Sequence, residues 1–193
     1  MENQTGNLMQ SVNVCKKAST VNGVEHQLIE LKARARNLDR LREKLIALKA
    51  EPMGTFRQVD TYFETPWGRL KLREVKGSDR AMLVYYEREN IAGPKRSNVF
   101  ILEIRRPATF KRLLRRVLKA KVVVDKVREI YRYEGTQIHL DTVKNLGTFI
   151  EFERETAPDP NTVKKEQKTL EELMEKLGVS RENLEELSYG DLV

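Results

Sequence analysis

The chain has 193 residues, enough for one domain with a real core but not for two. Apolar residues make up 39% and charged residues 34%, too much interior-forming material for general disorder, and the single cysteine, Cys15, excludes an internal disulfide framework or a cysteine-based zinc site. The net charge of +7 is concentrated in residues 23–155, with 29 basic and 19 acidic side chains, whereas residues 156–193 carry five and nine.

A cationic body calls for an anionic partner: a nucleic-acid backbone, a lipid surface or a phosphorylated small molecule. No run approaches the roughly 18 consecutive apolar residues of a membrane span, and the polar opening lacks a signal-peptide core. A cytoplasmic protein with no membrane partner is the expectation.

Residues 1–22 mix Asn, Gln, Ser, Thr and Gly without periodicity and are expected to form a mobile leader, leaving 23–193 as a single domain. From Glu25 the pattern alternates. Leu28, Glu30, Lys32 and Arg34 fall on one side of a strand, and Ile29, Leu31 and Ala33 on the other. Asn37 can cap a helix in which Leu38, Leu41, Leu45 and Leu48 recur at helical spacing, ending near Glu51 and Pro52. Strands are expected over 56–64, 69–74, 81–89 and 98–105. Pro107 then opens a helix bearing Phe110, Leu113, Leu114, Val117 and Leu118. Segments 121–133, 137–142 and 148–153 complete a set of eight strands. After Asp159 the spacing is helical again, with Leu170, Leu173, Met174 and Leu177 on one face and Gly178 as a stop, and Ser180 caps a last short helix containing Leu184 and Leu187. The chain shows no internal repeat.

The polar faces of these strands are consistently charged. Glu30, Lys32 and Arg34 share one face; so do Arg69, Lys71 and Arg73, Lys126 and Arg128, His139 and Asp141, and Glu151 and Glu153. Two arrangements satisfy that pattern. In an open sheet, the charges form cross-strand ion pairs on a wet surface, each contributing a few tenths of a kcal/mol. In a closed barrel, the apolar faces lie outside under the helices and the charged faces line a bore wide enough for one small ligand. A polyphosphate with divalent cations would suit such a bore, with Lys and Arg on phosphate oxygens and carboxylates on the metal.

The stretches Ile29-Glu30-Leu31-Lys32-Ala33-Arg34, Gln58-Val59-Asp60-Thr61-Tyr62-Phe63 and Gly68-Arg69-Leu70-Lys71-Leu72-Arg73 resemble the CYTH superfamily, which includes class IV adenylyl cyclases and thiamine or inorganic triphosphatases. In order, Val124-Asp125-Lys126-Val127-Arg128, His139-Leu140-Asp141, and Leu146-Gly147-Thr148-Phe149-Ile150-Glu151-Phe152-Glu153 are similar to its later strands. Ser188-Tyr189-Gly190-Asp191-Leu192 is similar to the ending of the class IV cyclase-like branch.

The resemblance implies an α+β fold: an eight-stranded antiparallel β-barrel, or tunnel, with a charged interior flanked by helices. It implies that Lys32, Arg34, Lys71, Arg73, Lys126 and Arg128 bind phosphate, with Arg88 in place of a lysine that many members carry. Glu30, Asp141, Glu151 and Glu153 would be catalytic groups holding Mg²⁺ or Mn²⁺. The implied partner is a nucleoside triphosphate or inorganic polyphosphate, and the implied reaction is cyclisation of ATP or hydrolysis of a triphosphate. The first strand departs from the family's Glu-x-Glu-x-Lys at Leu28, which bears on one metal position.

A rival from another class is a basic binding module, because Arg105 to Lys121 holds eight basic residues and no acidic one. A solvated helix face is the plainer reading, so a nucleic-acid partner is disfavoured. A homodimer through leucines of the terminal helices is left open. His139 is read either as a proton shuttle or as a structural hydrogen-bonding group. Trp67 is read as an exposed ring in a hairpin turn, and Gly93-Pro94-Lys95 lacks the glycine spacing of a P-loop.

Overall fold

Eight alternating segments become strands, each paired antiparallel with two neighbours in the closed order β1-β5-β4-β3-β2-β6-β7-β8. Closure gives every strand two neighbours and selects the barrel over the open sheet. The structure, a computed structural model, describes residues 23–193, so the expected leader over 1–22, including Cys15, lies outside the described residues. The elements are β1 (Gly23–Arg34), α1 (Leu38–Ala47), β2 (Glu51–Phe63), β3 (Arg69–Val75), β4 (Arg80–Arg88), β5 (Lys95–Arg105), α2 (Pro107–Val117), β6 (Ala120–Tyr133), β7 (Thr136–Val143), β8 (Gly147–Glu155), α3 (Pro160–Lys176), a 3-10 turn (Arg181–Asn183) and α4 (Tyr189–Leu192). No helix among the described residues is long and apolar enough to cross a membrane.

The barrel is inside-out relative to an ordinary soluble core. Outward-facing Ile29, Leu31, Ala33, Ile138, Leu140, Ile150 and Phe152 are buried against Leu41 and Leu45 of α1 and Leu170, Leu173 and Met174 of α3. On another side Leu72, Ala81 and Ile104 pack with Phe110, Leu114 and Leu118 at α2. Each buried aliphatic side chain contributes about 1.5–3 kcal/mol, so the helical jacket supplies the hydrophobic stabilisation and frees the interior for polar groups. The leucines of α3 are therefore spent on the barrel, while Leu113 and Val117 of α2 remain exposed.

Two local expectations are corrected. The first helix stops at Ala47 because Lys49, at φ 57°, turns the chain back, so Glu51 and Pro52 open β2 and do not end the helix. Pro52 sits beside a register shift, opposite Tyr131, a place in a strand where proline is tolerated. Ser180 caps only the 3-10 turn, and Leu184 bridges to Ala33 instead of entering a helix.

That bridge has a topological cause. β5 begins at Lys95, opposite Glu30, so the last residues of β1 have no partner on that side. The C-terminal segment takes the vacancy, with Glu185 N–H donating to the Lys32 carbonyl at 2.9 Å. It then turns inward, and Tyr189 packs with Tyr62, Val124, Val143 and Phe149 at one end of the bore. A Cβ on Gly190 would stand 2.9 Å from the Tyr62 ring, so only glycine allows the segment this close.

Candidate active site

β3 and β6 carry the same device. On β3, Lys71 and Arg73 point into the bore, and Asp60, opposite Arg73 on β2, accepts from Arg73 Nε and Nη2 at 2.7 Å each, with Lys71 Nζ at 3.2 Å. On β6, Lys126 and Arg128 point inward. Asp141, opposite Arg128 on β7, accepts from Arg128 Nε at 2.7 Å and Nη2 at 2.5 Å, with Lys126 Nζ at 3.2 Å. Both aspartates are fully buried. Burial alone would raise each carboxyl, but the neighbouring guanidinium and ammonium charges outweigh it and hold both below the usual carboxylate range.

Each carboxylate balances only part of the positive charge above it. Burial, reinforced by the Arg128 charge, lowers Lys126 to about 7. Burial, reinforced by Arg73, lowers Lys71 to about 8. Lys32 on β1 adds a further cation, 3.2 Å from Glu151 Oε1 and donating to the Leu187 carbonyl at 3.1 Å. Its ammonium lies 4.0 Å from the Tyr189 ring centroid, and Lys71 lies 5.5 and 5.4 Å from those of Tyr62 and Tyr86.

The acidic groups gather beside these cations. Glu30 and Glu153 face each other as partners across β1 and β8, and Glu151 sits opposite both Lys32 and His139. Burial raises the Glu30 carboxyl, against the attraction of Arg88, whose Nη1 lies 3.2 Å away; the Glu153 charge raises it further. Glu151 is contacted by Arg128 and held well below its ordinary value despite burial. His139 Nδ1 lies 3.6 Å from Glu153 Oε1 and 3.8 Å from Glu151 Oε2. Like charges directly opposite one another repel unless a proton or a cation stands between them. His139, Glu151 and Glu153 bring three ligand atoms within 4.8 Å of one another, a donor set that fits a divalent ion, with Glu30 opposite Glu153 across the strand pair.

The opposite wall is apolar. Leu28 of β1, Met82 and Val84 of β4, and Val99 and Ile101 of β5 line the same cavity, which measures about 720 Å³ with its open mouth. Nine of the expected residues line this space: Glu30, Lys32, Lys71, Arg73, Arg88, Lys126, Arg128, Glu151 and Glu153. Two do not. Arg34 is half-exposed at the barrel end, 3.2 Å from Glu185, and donates to the Leu146 carbonyl. Asp141 lies behind the wall, with its oxygens taken by Arg128, Lys126 and the Tyr189 hydroxyl at 2.9 Å.

Asp60, Tyr62, Tyr86, Ser188 and Tyr189 were not singled out as site residues by sequence reasoning, although Asp60 sits opposite the arginine of a Lys-x-Arg strand just as Asp141 does. That register was the available signal for Asp60. Tyr189 lies in the Ser188-Tyr189-Gly190-Asp191-Leu192 ending, but reaches the bore only through the path of the tail. Lys95 opens β5, is 1% exposed, and its ammonium donates to the carbonyls of Ile91, Glu185 and Glu186. Trp67 is 76% exposed in the β2–β3 turn, as expected. On the basic segment, Lys111, Lys119 and Lys121 are paired with Glu74, Glu64 and Asp191. Arg105, Arg106, Arg112, Arg115 and Arg116 have no ion-pair partner among the described residues.

Comparison with known proteins places this geometry. The profile of the CYTH domain matches residues 26–189. A Methanocaldococcus jannaschii protein named "Putative adenylate cyclase MJ0240" is 35% identical over 72 residues, 36% of this chain, and the match spans 39% of that protein's length. The PH1012 protein of Pyrococcus horikoshii superimposes with a TM-score of 0.74 at 26% identity, covering 86% of this chain and 99% of that one. The Hippeastrum protein HpAC1, an adenylyl cyclase by name described with a dominant triphosphatase activity, superimposes with a TM-score of 0.59 at 20% identity, covering 86% and 94%; this likeness is one of fold.

Proposed function

We propose that this chain, which belongs to the CYTH family, is a metal-dependent enzyme acting on an organic triphosphate, and that it cyclises ATP to cyclic AMP with release of pyrophosphate. The observation that carries the reading is the division of the bore: Lys32, Lys71, Arg73, Lys126 and Arg128 form a cationic arc, and Leu28, Met82, Val84, Val99 and Ile101 an apolar arc facing the same space. Five cations suit the charge of a triphosphate chain, and an apolar wall suits a planar organic group attached to it. The matching region of the Methanocaldococcus protein, an adenylate cyclase by name, supports the cyclase direction.

In this reading Arg73 and Arg128 hold phosphate oxygens bidentately, while Asp60 and Asp141 keep the two guanidinium planes fixed before substrate arrives. Lys71, Lys126 and Lys32 neutralise charge along the chain. Glu30, Glu151 and Glu153 would hold Mg²⁺ or Mn²⁺, which when bound supplies Lewis-acid charge stabilisation at the phosphoryl oxygens. Attack of the ribose 3′-oxygen on the α-phosphorus breaks the bond to the bridging oxygen, pyrophosphate leaves, and the hydroxyl proton passes to a bore carboxylate.

A second reading is hydrolysis of the terminal phosphate. Glu153 is paired with no lysine or arginine among the described residues, and its side chain is 30% exposed, so it can orient a water at the same wall. Incubating the full chain with ATP, and separately with tripolyphosphate, in Mg²⁺ or Mn²⁺ decides between them. Cyclic AMP and pyrophosphate from ATP uphold the cyclase, and orthophosphate from either substrate upholds the hydrolase. Absence of all three products together with absence of triphosphate binding overturns both.

A further inference from the structure

His139 is 3% exposed, on β7, between Gln137 and Asp141, and its ring faces the acidic side of the bore. Its Nε2 lies 3.3 Å from Gln137 Oε1. An amide oxygen only accepts, so Nε2 donates in that contact, and in the neutral ring, the form that binds a metal, Nδ1 presents a lone pair. That nitrogen has no hydrogen-bond partner within the structure, although it is buried. It is aimed at Glu151 and Glu153, at 3.8 and 3.6 Å, beyond hydrogen-bond length. A buried nitrogen without a partner here faces Glu153, which pairs with no lysine or arginine among the described residues, and Glu151, which Arg128 and Lys32 also contact; the three ligand atoms lie within 4.8 Å of one another. The Gln137 contact acts as an outer partner that fixes ring orientation, as such contacts do for metal-bound imidazoles.

We propose that His139 Nδ1 is a ligand, with Glu151 and Glu153, of the divalent ion in this bore, and that the imidazole makes the site select a transition-metal ion such as Mn²⁺ or Co²⁺ over Mg²⁺. The inference rests on reading the bore as a metal-assisted triphosphate site and specifies which ion that site takes. Magnesium prefers oxygen ligands and retains its waters, whereas imidazole nitrogen favours the later divalent ions. Leu28 sharpens the point: with an aliphatic side chain lining this part of β1, an all-carboxylate cage is one oxygen donor poorer, and the nitrogen of His139 takes its place from β7, on the far side of the neighbouring β8. The remaining coordination positions would be filled by water or by phosphate oxygens.

The test uses the full chain without substrate. Calorimetric titration with MnCl₂, CoCl₂ and MgCl₂ gives the affinity order, and pulsed EPR of bound Mn²⁺ reports directly whether a nitrogen is coordinated. The expected result is Mn²⁺ and Co²⁺ bound about tenfold or more tightly than Mg²⁺, with a nitrogen coupling on Mn²⁺. In His139→Gln the coupling disappears and the preference falls to within about threefold, while Mg²⁺ binding changes little. His139→Asn and a thermal melt guard against a folding defect, and the wild-type EPR measurement needs no variant. No nitrogen coupling in the wild type, or a preference unchanged by either substitution, overturns the proposal. Tripolyphosphate binding is measured in parallel in the absence of metal. Binding without nitrogen coupling sinks this inference and leaves the triphosphate reading standing; nitrogen coupling without tripolyphosphate binding does the reverse.

Discussion

The two arcs of the bore are built on opposite principles. The cationic arc on β3 and β6 consists of charges that could not remain there alone, each supported from behind by a buried aspartate on the adjacent strand. The apolar arc on β4 and β5 holds Met82, Val84, Val99 and Ile101, which need no support beyond their own contacts. The lesson is one of where fragility lies. A buried charge pair contributes little net stability when intact but leaves a large penalty when half of it is removed, whereas an apolar wall loses stability in proportion to the volume deleted.

The largest expected effect follows from that asymmetry. Asp60→Asn and Asp141→Asn each leave an arginine and a lysine buried without their carboxylate, and are expected to cost about 3–5 kcal/mol in urea unfolding. Val99→Ala, in the apolar arc and 7% exposed, is expected to cost about 1–2 kcal/mol. Equal losses at the two arcs would erase the distinction.

Ligand binding separates the arcs next. Lys126→Ala combined with Arg128→Ala is expected to weaken tripolyphosphate binding by about 100-fold or more, since two charge-assisted contacts are lost at once. Met82→Ala is expected to leave tripolyphosphate binding within about twofold and to weaken ATP by about three- to tenfold, because only the organic group meets that wall. Calorimetry with both ligands reads the contrast. If Met82→Ala weakens both equally, the apolar arc has no part in recognition.

A smaller effect is a pH dependence confined to the cationic arc. Lys71 and Lys126 are lowered to about 8 and about 7 by burial first and by Arg73 and Arg128 second. Between these values and the ordinary lysine range the unfolded chain binds more protons than the folded one, so these two lysines contribute rising stability as pH increases through that window. A polyanion restores their charge, so triphosphate binding at pH 8–9 should take up protons and weaken relative to pH 7. Titration in two buffers of different ionisation enthalpy measures the uptake, and none at pH 8.5 would contradict it. The smallest effect belongs to Arg34→Ala, expected within about twofold of wild type in tripolyphosphate affinity, because that side chain already pairs with Glu185 outside the cavity.

The strands, their inward charges and the charged part of the cavity lining were legible because a period of two assigns each side chain to a face whatever its partner strand. Lys32, Lys71, Arg73, Lys126, Arg128, Glu30, Glu151 and Glu153 all obey it. Asp141 obeys it too and still misleads: facing inward does not distinguish a group that touches the cavity from one buried beneath Arg128. The end of α1 was misplaced because a left-handed turn at a lysine leaves no mark in the hydrophobic pattern.

What the residues determined by themselves was local: alternation, helix caps, and the charge of each face. Closure of the barrel, the support of Arg73 by Asp60, the aim of His139 at Glu151 and Glu153, and the seating of Tyr189 were decided only by the tertiary structure. They depend on which strands pair and in what register, and pairing is settled by contacts between segments far apart in the chain, which no local period encodes.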